Sequence, residues 1–199
     1  MRRIPILPTI VVTLAIATMI ALGLWQLLDR LPRKEAFLAQ LAANPTLPKV
    51  AFPTKSDEAL LFRRSAARCV PPVAISLVGA GGSGYRAIAR CNAGGEPLVQ
   101  LGTTRDAKTQ VRWAGGAVSG FIGQAPDTRS MLAGLWDKTP APPMLVADPP
   151  VAGLAPNRAP GVESLPNNHL AYAGQWFFFA LVAAIIYALA LRRRPTASG

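Results

Sequence analysis

The side chains best equipped for chemistry in this 199-residue chain gather by type and spacing around one position. His169, the only histidine, stands directly before an uncharged apolar run, and Tyr172 and Trp176 follow at i+3 and i+7. On a helix that spacing places all three on one face. Far upstream, Trp25 and Gln26 lie near the end of another uncharged run. An imidazole at the lip of an apolar helix is costly unless it has a partner or a task. A neutral imidazole among aromatic faces suits the axial position of a haem iron, and Arg30 and Arg33 just outside suit its propionates. The competing reading is an aromatic belt at headgroup level. The belt accounts for Trp25 and Tyr172. It does not account for Gln26 or the histidine, and Trp176 lies about 10 Å further along the helix than His169. On the residues alone both readings stand.

The remaining chemistry-bearing residues are weaker. Cys69 and Cys91 share an alternation phase with their neighbours, so strands at 62–70 and 85–91, if they pair, bring the two thiols to one face. A disulfide, a pair of buried reduced thiols and a copper or redox site all remain open, the last without the support of a Cys-x-x-Cys spacing. Gly79-Ala-Gly81-Gly-Ser-Gly84 spells a dinucleotide fingerprint, with Asp106 further on. The residues from Tyr85 to Cys91, however, alternate like a strand, and a pyrophosphate site needs a helix N-terminus there. The segment reads as a hairpin loop. A Ser-His-Asp triad would have to recruit His169, no serine sits in a Gly-x-Ser-x-Gly elbow, and Asp127 and Asp137 meet only if the fold brings them together. No enzyme site can be assembled.

The elements that position these residues follow from charge and hydropathy. The runs 4–28 and 170–191 carry no charged residue. Each is long enough to cross about 30 Å of hydrocarbon. Arg2 and Arg3 precede the first and Arg192, Arg193 and Arg194 follow the second, which places both termini on the cytoplasmic side and the middle outside. The first run also admits a cleaved signal peptide ending at Ala17 or Gly23, but it exceeds the usual apolar core of about 7–15 residues and continues past both sites. The net charge of +11 includes those five terminal arginines, leaving 16 basic residues against ten acids elsewhere, a net of +6. That charge is scattered rather than interleaved with aromatics, so no nucleic-acid partner is expected and the membrane lipid accounts for it.

The expected plan is a membrane protein with two transmembrane α-helices flanking a small antiparallel β domain, a barrel-like or curled sheet, extracytoplasmic and with short helices. Its segments are a first span at 4–28, a helical extension at 29–43 that Pro32 bends, an extended linker at 44–60, the β domain at 61–148, a second linker at 149–168, the second span at 169–191 and a basic cytoplasmic tail at 192–199. Strands are expected at 61–70, 73–78, 85–91, 97–103, 108–113, 117–122 and 144–147. Asp127 caps a short helix reaching Trp136, and Asn167 or Asn168 caps the second span.

Leu22-Gly-Leu-Trp25-Gln26-Leu at the end of the first run and Leu165-Pro-Asn-Asn-His169-Leu-Ala-Tyr172-Ala-Gly-Gln-Trp176-Phe at the start of the second resemble the two signatures of the surfeit locus protein family. The helix–domain–helix plan resembles that family along the whole chain. In the middle, Leu101-Gly102-Thr103 stands where the family commonly has Arg-Gly-Trp. The resemblance implies a non-enzymatic assembly factor, or chaperone, for haem-copper cytochrome c oxidase in respiratory-chain biogenesis. It implies haem a as a transient cofactor, His169 as ligand to its iron, and Trp25, Gln26, Tyr172 and Trp176 as the pocket. Oxidase subunits and the machinery that makes haem a are the implied partners. With one histidine, two-histidine coordination needs a partner or a second copy. With no transit peptide ahead of the first span, a bacterial inner membrane is expected. Two other readings are a scaffold that binds oxidase subunits without haem and a copper or thiol carrier using Cys69 and Cys91.

Overall fold

The first uncharged run is helical from Ile6 to Trp25 (α1). It passes through a π turn, Gln26–Arg30, into a second helix, Leu31–Ala43 (α2). In the π turn the Leu31 N–H donates to the Gln26 carbonyl, one residue beyond the α pattern. Pro32 supplies the local reason. It has no N–H to give the Leu28 carbonyl, so the helix cannot keep an uninterrupted i to i+4 ladder here. The last helix, His169–Arg192 (α3), covers the second run. The computed structural model describes residues 5–92, 96–127, 129, 132, 136–159 and 161–193. Arg2, Arg3 and Arg194, and most of the helix expected between Asp127 and Trp136, lie outside them.

The chain divides into two units, one made of the residues up to Leu38 and from Leu165 onward, the other running from Ala39 to Ser164. In the first, α1 packs against α3 through small residues. Gly23 is buried, and a Cβ there would come within 2.7 Å of the Phe177 ring. Ala173 and Ala180 are buried as well, as expected where helices associate by close backbone approach. The Thr9 and Tyr187 hydroxyls hydrogen-bond to each other. Most large apolar side chains point outward, and both helices are long and apolar enough to cross a membrane.

In the second unit, the stretch 44–60 is more than an extended linker. Asn44 is buried and its Nδ2 donates to the carbonyls of Ala59 and Leu61, fastening the end of α2 to the start of the sheet. A two-residue strand, Val50–Ala51 (β1), follows. The others are Arg64–Cys69 (β2), Ala74–Gly79 (β3), Tyr85–Arg90 (β4), Leu98–Thr104 (β5), Gly116–Gln124 (β6) and Pro143–Ala147 (β7). They form one sheet in the order β1-β2-β6-β7-β5-β4-β3.

This corrects the expected antiparallel barrel in two respects. The sheet is mixed, because β1 runs parallel to β2 and β7 slots between β6 and β5, parallel to the latter. It is also open, with β1 and β3 as its edges. Yet it is strongly rolled. Four strand spacings of roughly 4.8 Å would hold β2 and β4 about 19 Å apart in a flat sheet. Cys69, ending β2, and Cys91, just beyond β4, instead have Cα atoms 5.1 Å apart and form a disulfide. These two strands do not pair, and rolling rather than a ladder brings the sulphurs together. The Asn92 N–H donates to the Val70 carbonyl at the same seam, 2.7 Å away.

The strand expected at 108–113 is absent. Asp106 turns the chain there, its carboxylate accepting from the Lys108 N–H and its carbonyl from the Thr109 N–H. Val111 and Trp113 still pack on the core. Their alternation reports one-sided burial, not ladder pairing. Gly79 to Gly84 forms the loop of the β3–β4 hairpin, with no helix after it. Gly84 has φ +80 and packs on the Thr104 carbonyl, where a Cβ would collide. The stretch 149–168 is also not a free linker: Ala155 exchanges two backbone hydrogen bonds with Thr103 and closes a strap over the sheet.

Candidate functional site

His169 is the first residue of α3 and Gln26 the first of the π turn. Their side chains meet, with His169 Nδ1 2.7 Å from Gln26 Oε1. An amide oxygen can only accept, so Nδ1 donates in this bond and Nε2 is not used in it. Among the described residues no second hydrogen bond reaches the ring. Both residues are partly buried.

The other residues expected in the pocket are placed less tightly. Trp25 is 43% and Tyr172 48% exposed, while Trp176, further into the helix, is half-buried. No hydrogen bond or ring pair joins these three to His169 or Gln26 among the described residues. Trp25 instead lies under the Arg30 guanidinium, 4.5 Å from the ring centroid. Arg33 pairs with Asp29 at 2.7 Å and Arg30 approaches the same carboxylate at 3.8 Å. An anion from outside would have to displace Asp29, an acid whose role the sequence pattern does not reveal.

The expected asparagine cap is also modified. Asn168 occupies the cap position of α3 but with ψ near 7°, and its side chain caps no N–H. Asn167 Oδ1 is buried without a hydrogen-bond partner, two residues before the histidine. Such an atom is uncommon and marks a place where an acceptor waits for a donor. Pro32 was the one sequence signal for the π turn, and nothing in the pattern foretells Asn167.

The remaining candidates resolve differently. Cys69 and Cys91 are buried and joined, so in this state neither sulphur is available to a metal. Asp127 and Asp137 do come together. Arg129 bonds both oxygens of Asp127 and reaches the Asp137 carboxylate at 3.2 Å. Hydrogen bonds from the Arg129 side chain and N–H hold Asp127 down to about 2. Asp137 is held to about 2 chiefly by Thr139, with Arg129 adding to it. Among the described residues no cluster of histidine, cysteine and acid side chains could hold a metal ion.

Two long apolar helices, a polar contact where they end, and an open mixed sheet domain between them define the class. The family model of the SURF1 family matches residues 13–181, and the chain belongs to that family. No curated protein matches the chain, and no solved structure does. Membership is consistent with a role in cytochrome c oxidase assembly, and the family is one of assembly factors rather than a known class of enzyme.

Proposed function

We propose that this protein holds haem a at the His169 end of the helix pair while the catalytic subunit of cytochrome c oxidase is built. One observation carries the reading: the 2.7 Å bond from His169 Nδ1 to Gln26. A ligating histidine characteristically donates its other ring N–H to an acceptor, which fixes tautomer and ring orientation and raises the basicity of the free nitrogen. Gln26 does this for His169, and Nε2 is left to ligate. His169 would hold haem iron through that nitrogen. Tyr172 and Trp25, the latter with Arg30 over one face, would offer partly exposed aromatic surface to an apolar macrocycle, Trp176 lies deeper on the helix of Tyr172, and the Asn167 oxygen is buried without a partner. With a single histidine in the chain, any second histidine ligand would come from a partner or a second copy. A holder that grips one side only can hand its cargo on. In this reading both helices span a bacterial inner membrane, the sheet domain is periplasmic, and the partners are oxidase subunits and the enzymes that make haem a.

Purification from cells that make haem a, followed by absorption spectra of wild type and His169→Ala, tests this. Wild type is expected to carry haem a and the variant to lose most of it. Wild type without haem a, or a variant carrying as much, removes the ligand role and leaves a scaffold that holds oxidase subunits without haem.

A further inference from the structure

The sheet domain holds a second polar constellation, on the side of the sheet that carries Arg86 and Gln100. There residues 156–159, 161 and 163 of the strap join side chains of β4, β5 and β7 in lining a partly open cavity of about 520 Å³. That volume falls in the range of small-ligand sites, roughly 300–1,000 Å³. Its frame is built by hydrogen bonds. Gln100 Nε2 donates to Asn157 Oδ1 at 2.7 Å, and Asn157 Nδ2 donates to the Ala147 and Gln100 carbonyls at 2.9 and 3.3 Å. Thr103 Oγ1 donates to the Pro156 carbonyl at 3.0 Å. These bonds pin the strap and saturate Asn157.

Arg86 is not saturated. It lines the cavity, its Nε is buried without a hydrogen-bond partner, and no ion pair joins it to any described residue. A guanidinium stays charged at any accessible pH, so a buried N–H of this kind calls for an acceptor. Arg158, exposed on the strap, lines the same cavity, and against these two cations the lining offers a single carboxylate, Glu163. The amide of Gln124 adds a donor and an acceptor at the wall.

We propose that this cavity binds a carboxylate carried on a small polar ligand, with Arg86 as its anchor and Arg158 at its rim. A guanidinium takes a carboxylate in a two-pronged, charge-assisted contact, and Arg86 brings an uncompensated one to the cavity wall. The same chemistry comes from a free acid or from a glutamate or aspartate side chain of a partner segment reaching under the strap.

The full chain in lipid nanodiscs is titrated calorimetrically with succinate, with acetyl-Gly-Glu-Gly-amide and with the glutamine analogue of that peptide. The Nε–H resonance of Arg86, assigned by its loss in Arg86→Gln, reports where binding occurs. Saturable binding of at least one acid that moves this resonance is expected. Its affinity should fall at least about tenfold in Arg86→Gln and about threefold in Arg158→Gln. Tighter binding of the peptide assigns the site to a partner segment, and tighter binding of succinate assigns it to a free acid. The proposal is overturned if neither acid binds saturably, if the glutamine peptide binds equally well, or if affinity survives both arginine changes. Arg158 is exposed, so its variant decides the matter even if Arg86→Gln fails to fold.

Discussion

Each unit of this molecule holds a side-chain amide in a 2.7 Å hydrogen bond, and the two bonds leave different things over. In the sheet domain Gln100 donates to Asn157, whose oxygen and nitrogen are then both engaged, the latter with two backbone carbonyls. In the helix pair Gln26 accepts from His169 Nδ1, and Nε2 has no partner among the described residues. A saturated amide is a fastener, and its worth is the order it imposes on the strap. A histidine with one nitrogen fixed and the other open fits the proposed ligand role. Apolar side chains divide the same way. Leu101 and Leu145 are fully buried in the domain, while Leu7 and Leu170 on the helices are 72% and 63% exposed. The domain buries its large apolar side chains within itself, and the helix pair leaves most of its own exposed.

The largest test of that contrast removes the disulfide. Closing a loop with the 22-residue separation of Cys69 and Cys91 stabilises by about 3 kcal/mol through the unfolded chain. Cys69→Ser with Cys91→Ser should therefore lower the melting temperature of the sheet domain by on the order of 10 °C. The helical circular-dichroism signal of α1 and α3 should persist through that transition. A single transition that moves as one would mean that the two units do not melt separately.

On the helix side, Gln26→Leu removes the acceptor while leaving His169 in place. Loss of such a supporting contact weakens metal ligation by roughly 10–100-fold. Haem a retained on purification should drop accordingly, and Gln26→Glu, which restores an acceptor, should recover it. Full retention in Gln26→Leu would make the Gln26 contact a packing detail. In the domain the matching change is Asn157→Ala, which strips donors from the Ala147 and Gln100 carbonyls. It should cost about 2 kcal/mol in urea unfolding. A change of a few tenths would show that the strap is held by its other bonds, the Thr103–Ala155 bridge and the Thr103–Pro156 bond among them.

How much of this was legible in the sequence tracks the same division. The helices announced themselves because an uncharged run needs no partner to be recognised, and the i, i+3, i+7 spacing of His169, Tyr172 and Trp176 is a property of one segment. The domain was read less well because strand pairing is set between distant segments. Nothing local in 143–147 says that it inserts between β5 and β6, and so the mixed order and the rolled seam at Cys69 and Cys91 were not foreseeable. The strap looked like a linker because its order comes from Asn157 and Thr103 reaching across the fold. The π turn is the helical counterpart. Pro32 signals a disturbed ladder, but the turn it produces starts at Gln26, six residues earlier.

The smallest effect belongs to a third polar cluster that is satisfied and exposed at once. Arg129 clamps Asp127 and Asp137, both held down to about 2 against an ordinary value of 3.8. A carboxylate lowered on folding adds stability that is fully present above its unfolded value and is lost as pH falls through the folded one. The clamp should therefore be indifferent to pH above about 4 and released between pH 4 and 2. Water surrounds these groups, so the contribution is small. Carboxyl 13C titration separates the causes. In wild type both midpoints should lie near 2. In Arg129→Gln, Asp127 should move back toward the ordinary range because the Arg129 side chain is its first support, whereas Asp137 should move less because Thr139 remains. Equal movement would mean that Arg129 alone organises the loop. Wild-type midpoints in the ordinary range would mean that the clamp does not persist in solution, leaving the saturated Asn157 as the domain's effective polar fastener.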